Sequence, residues 1–341
     1  MLTVHLPATT ADVGRIILVQ PWVTAWQLAL YGPDGFFSSG RGAPGSDFRT
    51  SSTAGPAFAG ALARLAVRVD EALGRPPAFD LVEVGAGRGR LLLDTAGALP
   101  ADLAARIRLT AVELAPRPPD VPPEVAWQPT LPAGVEGLLI ANEWLDDVPC
   151  PVVETDDQGV RRVVLVGADG REEPGPAVGG ADAAWLDRWW PGLAQPGARA
   201  EVGLPRDLAW AGARAALRRG LAVAIDYAHG RDARPPLGTL AGYRAGRRVP
   251  PVPDGSCDLT AHVALDACAA TGDRLTTQRE ALRALGISGA RPPLQLATSD
   301  PAAYVLALSV ASVQGELLQR GGLGDFGWLL SPVRLGAGWW P

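Results

Sequence analysis

The sequence feature that most constrains the fold of this chain is the glycine-rich stretch FDLVEVGAGRGR at residues 79–90. A largely apolar run leads into three glycines at alternate positions, and the apolar segment Leu91–Leu93 follows. This order predicts a strand, a tight loop and a helix. Glycine lets the backbone turn sharply and come close to a ligand, and the free N–H groups at a helix N-terminus favour a polar or anionic group. The stretch therefore predicts a binding loop of the nucleotide type.

The spacing of these glycines separates two kinds of nucleotide site. The dinucleotide fingerprint G-x-G-x-x-G would need its third glycine at position 90, which is Arg90. The acid two residues before the first glycine, and the spacing Gly85, Gly87, Gly89, instead resemble the first motif of the S-adenosylmethionine (SAM) methyltransferases. The resemblance implies that the glycines bind the cofactor and that Glu83 lies near its methionine amino group. A plain tight turn is the alternative, because glycine-rich turns are common in a chain with 41 glycines.

The composition predicts a globular cytoplasmic protein. The chain has 341 residues, of which 47% are hydrophobic and 20% are charged, and its net charge of -5 gives no reason to expect nucleic acid as a partner. Three cysteines without C-x-x-C spacing and three histidines predict no metal site and favour a reducing compartment. The N-terminus shows no basic segment followed by an apolar run, and no long apolar stretch predicts a membrane partner. All 31 basic residues are Arg, which we attribute to the composition of the source genome.

A second predicted strand, residues 107–113, ends in an acid. A carboxylate at the tip of a strand next to the glycine loop can accept hydrogen bonds from both hydroxyls of a ribose. We therefore interpret Glu113 as a ribose ligand. The alternative is an acid that ends a strand in solvent, and the glycine loop nearby favours the first interpretation.

The predicted strand at residues 137–143 turns polar at its end, where Asn142 and Glu143 are followed by Asp146 and Asp147. In a parallel sheet, ligands lie at the carboxyl ends of the strands. We therefore expect these side chains to converge with the two acids of the earlier strands on one edge of the sheet, with Asn142 on the side of the cofactor.

Strands that alternate with helices predict an α/β fold with a doubly wound sheet. We expect a helical cap and lid at 1–77, the first half of a Rossmann-like core at 78–150, an antiparallel insertion that forms a substrate wall at 151–204, and the second half of the core at 205–341. The last part contains a long polar loop at 231–257, and loops of that length are usually functional. Asp258 is predicted to cap a helix that runs to Ala269. Within the first part, residues 31–52 are predicted to form a lid whose order depends on the cofactor.

Six ordered motifs resemble the MidA-like methyltransferases, and the resemblance runs from about Tyr31 to the end of the sequence. They are SDFRT at 46–50, EVGAGRG at 83–89, ANEWLD at 141–146, IDY at 225–227, GTLAGY at 238–243 and DLTAHV at 258–263. The family includes the mitochondrial complex I assembly factor that symmetrically dimethylates an arginine of a partner subunit. The resemblance implies SAM as cofactor, a seven-stranded sheet whose last strand is antiparallel, and Asp47 and Thr50 as residues on the cofactor side.

The chain also departs from the family pattern on the substrate side. After GDF the family usually reads T-[AS]-P-E, whereas this chain has Thr50-Ser51-Ser52-Thr53, and the family's ANEFFDALP reads ANEWLDDVP here. Methyl transfer is thus the firmer implication, and symmetric dimethylation of a protein arginine rests on the resemblance alone. The implied acceptor is a protein, for example a respiratory complex subunit, and a small molecule is the alternative. The sequence does not predict an oligomeric state.

Carboxylates that orient the planar guanidinium are what methyl transfer to arginine requires. Glu143 is the residue we expect to hold such a cation, with Asp146 or Asp147 as a second acid. The alternative for these two aspartates is that they cap a following helix.

Two other functions remain open from the sequence. The first is an O- or N-methyltransferase for a small molecule or peptide, with His262 as base, its pKa lowered by the helix predicted to begin at Asp258. In the alternative interpretation His262 only hydrogen-bonds backbone. The second is a SAM-binding assembly factor without catalytic activity.

Overall fold

The computed structural model describes residues 19–38 and 56–340. Asp47 and Thr50, and the part of the predicted lid after residue 38, lie outside the described residues. The strands are β1 Gln20–Pro21, β2 Phe79–Val84, β3 Ile107–Val112, β4 Ala126–Gln128, β5 Val135–Asn142, β6 Val152–Thr155, β7 Arg161–Val166, β8 Glu172–Ala177, β9 Arg199–Glu201, β10 Leu217–Asp226, β11 Ala241–Arg244, β12 Arg247–Val249, β13 Asp258–Thr260, β14 Arg274–Thr277 and β15 Gly327–Val333. The helices are α1 Trp22–Tyr31, α2 Pro56–Ala72, α3 Arg90–Gly97, α4 Ala101–Ala104, α5 Gly180–Trp189, α6 Leu204–Ala215, α7 Leu265–Cys268, α8 Gln278–Ala284, α9 Leu294–Ser299 and α10 Pro301–Leu317.

A seven-stranded sheet forms the centre of the molecule, with strand order β14-β15-β10-β5-β2-β3-β4. The five strands from β10 to β4 are parallel, whereas β15 runs antiparallel to both of its neighbours. All eight residues of the central strand β5 are buried, as expected for a parallel strand that is covered on both faces. The predicted fold, including its antiparallel last strand, is confirmed.

Helices cover both faces of this sheet. Along β5, Leu138 and Ile140 pack into one hydrophobic cluster with α2, α3 and α8, and Leu139 and Ala141 pack into a second cluster with α6 and α7. This two-residue alternation follows from the pleat of a strand. The core therefore has two layers, and the carboxyl ends of the parallel strands are left open at one edge.

The predicted antiparallel insertion is present as a second sheet. Strands β6 to β9 form this sheet, and β1 from the N-terminal part of the chain pairs with β7 along its edge. Helix α1 packs against the same sheet and against residues near 259, through Trp22, Trp26 and Leu30. The N-terminal part thus shares a core with the insertion.

The region after residue 230 differs from the prediction in two ways. The loop at 231–257 contains β11 and β12, which form a three-stranded sheet with β13. The helix predicted from Asp258 to Ala269 is wrong, because residues 258–260 pair with β11 and the helix that follows, α7, has only four residues. Leu259, Ala261 and Val263 are buried at alternate positions, which is the spacing of a strand. None of the helices within residues 19–38 and 56–340 combines the length and apolar content that a membrane crossing requires.

Candidate active site

A cavity of about 1560 Å³ opens at the carboxyl ends of β2, β3, β5 and β10. The chain after α1 lines it with Phe36 and Phe37, and the small sheet of β11 to β13, which packs against this segment, lines it as well. Nine of the predicted site residues line this cavity. They are Glu83, Gly85, Gly87, Glu113, Asn142, Glu143, Asp146, Asp147 and His262.

The glycine loop has the backbone shape that the sequence predicts. Gly85, Gly87 and Gly89 have φ angles of 68°, 53° and 71°, in the left-handed region that favours glycine. A Cβ on Gly85 would lie 2.8 Å from Cδ1 of Trp144, so that residue also needs glycine for space. Gly89 precedes α3 and is not among the residues that line the cavity.

Glu83 joins the end of β2 to the first turn of α3. Its Oε2 accepts a hydrogen bond of 3.0 Å from the backbone N–H of Leu92, and the side chain is buried. The pKa of Glu83 is raised to about 8, chiefly by burial; the Leu92 N–H lowers it and the nearby charge of Glu113 raises it. Its contact with the methionine amino group of SAM stays a prediction.

Glu113 connects the end of β3 to the glycine loop. Its two carboxylate oxygens accept hydrogen bonds from the backbone N–H of Gly87 at 2.7 Å and of Ala115 at 2.9 Å. The neighbouring Leu114 lines the same part of the cavity and is 64% exposed, which offers an apolar surface to a flat ring. Sequence reasoning did not name Leu114, although its position after a strand-end acid is a signal that could have indicated it.

Asn142 and Glu143 stand at the end of β5, and Glu143 has an unusual backbone conformation. Glu143 has a φ angle of 51°, which costs energy for any residue with a Cβ and is typical of functional sites. Its backbone N–H still donates to Ile225 O at 2.8 Å, and its Oε1 accepts from Asn142 Nδ2 at 3.1 Å. Asn142 is buried, and its Oδ1 has no hydrogen-bond partner among the described residues. Asn142 Oδ1 is thus a buried acceptor whose hydrogen-bonding capacity is not used within the described part of the chain.

Three aspartates lie behind this strand end, of which Asp146 and Asp226 are buried and Asp147 is half-buried. Asp226, at the end of β10, accepts hydrogen bonds on Oδ2 from the backbone N–H groups of Leu145 and Asp146. Asp146 accepts on Oδ2 from the Thr260 hydroxyl at 2.8 Å. One oxygen of each of the three, Asp146, Asp147 and Asp226, has no hydrogen-bond partner among the described residues.

Burial raises the pKa of all three aspartates above its ordinary value. For Asp147, the negative charges of Asp258 and Asp146 raise the pKa further. The interpretation of Asp146 and Asp147 as helix caps is wrong, because the element that follows them is strand β6. The role of Asp146 and Asp147 as acids of the cavity stays a prediction. Among the residues that the structure describes, no group of His, Cys, Asp and Glu side chains could hold a metal ion.

His262 lies at the exposed rim of the cavity. Its ring stacks on Tyr227 with 5.6 Å between centroids, and its backbone N–H donates to Thr239 Oγ1 at 2.9 Å. Its pKa is lowered, as expected from the sequence, but the cause differs. No helix begins at Asp258, and the pKa falls chiefly because protein atoms around the ring displace water, with a smaller effect from Arg206 and Arg248.

Arg206 connects the two segments that carry the acids and the histidine, and sequence reasoning missed it. Its guanidinium is 1% exposed and donates four hydrogen bonds, all to backbone carbonyl oxygens. The acceptors are Asp146, Val148, Ala261 and His262, at 2.6–3.1 Å. No local pattern distinguishes Arg206 among 31 arginines, because its partners meet only in the folded chain.

Comparison with known proteins agrees with this geometry. Residues 61–281 match the family described as "Putative S-adenosyl-L-methionine-dependent methyltransferase". The chain belongs to this family. The resemblance seen in the ordered motifs is thereby confirmed, and the cofactor of the family is the one that the glycine loop predicts.

Two crystal structures of Burkholderia thailandensis proteins have the same fold. One, described as a "likely methyl transferase" and bound to S-adenosyl-homocysteine, is 26% identical with a TM-score of 0.77, and the match covers 94% of this chain and 89% of that one. The other, an uncharacterised protein of the same superfamily, is 25% identical with a TM-score of 0.75, and the match covers 94% and 88% of the two chains. No curated protein matches the chain closely enough to add to these findings.

The cavity of this family member fits SAM on its own geometry. Glu113 places a carboxylate where strand-end acids bind a ribose, and the unpartnered Oδ1 of Asn142 can accept a hydrogen bond. Leu114 offers an apolar surface for the adenine. A volume of about 1560 Å³ exceeds the 300–1000 Å³ typical of small-ligand pockets, so an acceptor group can enter beside the cofactor.

Proposed function

We propose that this family member transfers a methyl group from SAM to the guanidinium of an arginine in a protein. The observation that carries the proposal is the acidic interior of the cavity, which three carboxylates line after the end of β5. They are Glu143, Asp146 and Asp147, and the buried Asp226 at the end of β10 lies behind them. The crystal structure bound to S-adenosyl-homocysteine supports the use of SAM as methyl donor, and the choice of a protein arginine as acceptor rests on the acidic interior and on the resemblance of the ordered motifs to the MidA-like family.

The residues that would hold SAM lie on the side of β2 and β3. Glu113 would bind the ribose hydroxyls, and the glycine loop would contact the methionine part. Glu83 would hold the first turn of α3 in place behind the loop through its hydrogen bond with Leu92. When bound, SAM supplies a methyl group on a sulfonium, which makes that carbon electrophilic. Charge on the opposite side of the cavity then determines which acceptor is held in line with the methyl group.

The negative charge of the cavity interior exceeds its buried positive charge. Arg206 is the buried cation beside the three aspartates, and its described hydrogen bonds all go to carbonyl oxygens, so no carboxylate oxygen accepts from it. One oxygen each of Asp146 and Asp147 is buried and has no hydrogen-bond partner among the described residues, and we propose that a cationic acceptor in the cavity supplies that partner. A guanidinium presents five N–H donors in one plane, which suits several separate carboxylate oxygens better than an ammonium does.

The same carboxylates suit the proton that an arginine must lose. A guanidinium nitrogen that gains a methyl group releases one proton, and that proton needs an acceptor inside the cavity. Burial raises the pKa of Asp146 and Asp147, which makes each a better proton acceptor than a carboxylate in water. We assign orientation of the guanidinium to Glu143 and proton acceptance to these aspartates.

A second function is favoured by one observation. His262 lies at the cavity rim with a lowered pKa, so it is neutral near pH 7 and can act as a base toward a hydroxyl group. An O-methyltransferase for a small molecule would use it. A SAM-binding assembly factor without activity is the third alternative, and replacement of Glu143 separates it from both enzymes.

The experiment is a search for methyl acceptors with radiolabelled SAM. A proteome from cells that lack the gene would be incubated with the purified chain, with Glu143→Gln as control, and labelled proteins would be hydrolysed to identify the methylated amino acid. We expect label in methylarginine with the native chain and about 100-fold less with the variant. Label on oxygen or in small molecules would overturn the proposal, and no label with either protein would favour the assembly factor.

A further inference from the structure

The hairpin of β11 and β12 carries three arginines within five residues, Arg244, Arg247 and Arg248. All three are exposed. Its two-residue turn, Ala245-Gly246, has φ angles of 48° and 73°, as in the turns that match the twist of a hairpin. In the resulting register Arg244 lies directly opposite Arg247, and Tyr243 lies opposite Arg248. Like charges at directly opposite positions destabilise a strand pair.

Other adjacent arginines of the chain are paired with acids. Arg161 and Arg162 form ion pairs with Asp187 and Asp156, and Arg218 and Arg219 both pair with Glu136. The three arginines of the hairpin form no ion pair with any residue in the ranges 19–38 and 56–340. Arg244 donates a hydrogen bond of 3.1 Å to the hydroxyl of Ser256. Genome composition explains why basic residues are Arg. It does not explain three of them together without acidic partners among the described residues.

The hairpin stands at the mouth of the acidic cavity. Tyr243 and Arg248 line the cavity together with His262, and the charge of Arg248 contributes to the lowered pKa of that histidine. The interior is therefore negative and this part of the rim is positive. A cation can enter the interior, whereas an anion on the same molecule is repelled from it and attracted to the rim.

We propose that the hairpin binds acidic residues that flank the methylated arginine of the protein acceptor. The inference rests on the proposed function and specifies which acceptors the enzyme selects. Each guanidinium can bind a carboxylate through two parallel hydrogen bonds, which sets orientation as well as affinity. A polypeptide fits better than nucleic acid or an anionic membrane, because a phosphate surface would meet the carboxylates of the interior and the net charge of -5.

The test uses synthetic peptides with one central arginine flanked by Asp and Glu, by Ala and Ser, or by Lys. Methyl transfer from radiolabelled SAM would be measured with the full chain and with the triple variant R244Q/R247Q/R248Q. We expect acidic flanks to lower KM about tenfold with little change in kcat, as several exposed ion pairs together can do. The triple variant and high salt should both remove this preference. As a matched control, R283Q/R291Q/R334Q removes the same charge from exposed positions that do not line the cavity, and should keep it.

Charge reversal gives a result that partial misfolding cannot produce. The variant R244E/R247E/R248E should prefer peptides with Lys flanks. Equal KM values for all three peptides with the native chain would overturn the inference and leave the proposed function standing, whereas failure to methylate any peptide or protein arginine would overturn both. Calorimetry that shows weaker SAM binding by R244Q/R247Q/R248Q would assign the hairpin to the cofactor instead, and preferential binding of RNA or anionic vesicles would also overturn the inference.

Discussion

Glu143 is the single side chain on which we expect turnover to depend most. It stands at the end of β5 with a φ angle of 51° and lines the cavity beside the aspartates. Glu143→Gln keeps the shape and removes the charge, so methyl transfer should fall about 100-fold or more, as is common when one preorganised electrostatic contact is lost. His262→Ala should cost less. Steady-state rates with an arginine acceptor measure both effects, and the reverse order, with activity falling steeply below the pKa of one histidine, would favour the O-methyltransferase.

Gly87 tests the cofactor assignment. Its φ angle of 53° is unfavourable for a β-branched residue, and its N–H donates to Glu113 in the loop predicted to contact SAM. Gly87→Val should therefore abolish SAM binding, which isothermal calorimetry can measure. Gly97→Val, at the end of α3 where a Cβ meets no atom within 4 Å, is the control and should bind SAM like the native chain. If the Gly87 variant bound SAM with the affinity of the native chain, the assignment of this loop to the cofactor would be wrong.

Helix α6 holds the acceptor side of the cavity together through Arg206. The guanidinium satisfies four carbonyl oxygens from two segments, and Trp26 of α1 lies over it at 5.7 Å. Arg206→Met removes the guanidinium donor from all four carbonyls and leaves Asp146 O with only the Ala261 N–H at 3.3 Å, so the free energy of unfolding should fall by about 3 kcal/mol or more. Urea unfolding measures the change, with the exposed Arg188→Met as control. A loss below about 1 kcal/mol would show that water replaces the guanidinium at little cost.

The segment after α1 is the described part of the predicted lid. Phe36 and Phe37 line the cavity, and their backbone N–H groups donate to Ala29 O and Leu30 O at 2.8 and 3.0 Å. A lid at residues 31–52 would close over bound SAM, so hydrogen exchange in peptides from these residues should slow when SAM is added. Exchange that is unchanged at saturating SAM would contradict the lid.

Elements whose shape depends on local sequence could be predicted well. The apolar strands before Gly85, Glu113 and Asn142 are where their patterns place them, since a buried parallel strand reads as a continuous apolar run. Residues 258–263 could not be assigned from a cap signal, because pairing with β11 outweighed the preference of Asp258 for a helix start. The alternation of Leu259, Ala261 and Val263 was the better signal.

The acidic edge of the sheet was also predictable, because strand order in a doubly wound sheet brings strand ends together. The buried position of Arg206, the exposure of Leu114 and the lack of ion pairs between the hairpin arginines and the described residues were not. Each depends on which distant segments meet, and a single sequence does not contain that information.

The pH dependence of stability is a property of the whole molecule to which Glu83 contributes. The ordinary pKa of Glu is 4.5, and burial raises that of Glu83 to about 8 in the folded chain. Between these two pH values the folded chain holds a proton that the unfolded chain has released, so the free energy of unfolding falls as pH rises through this window. Glu83→Gln removes this contribution, and its stability relative to the native chain should rise from pH 5 to pH 8.5.

Urea unfolding at several pH values measures this difference, with Glu71→Gln at an exposed position as control. The hydrogen bond from Leu92 can persist, because the amide oxygen of Gln also accepts. A stability difference that is constant across the window would show that the folded chain does not retain the proton on Glu83.

Strand β15 lies between β10 and β14 although it follows both in the sequence. During synthesis these two strands therefore leave the ribosome before their common neighbour exists. Ser331 of β15 adds side-chain contacts to the backbone pairing, because it receives a hydrogen bond from Trp210 and donates one to Asp273. A chain cut before residue 327 would keep every residue predicted to bind SAM and still expose β10 as an open edge, a place where one polypeptide can pair with another and aggregate.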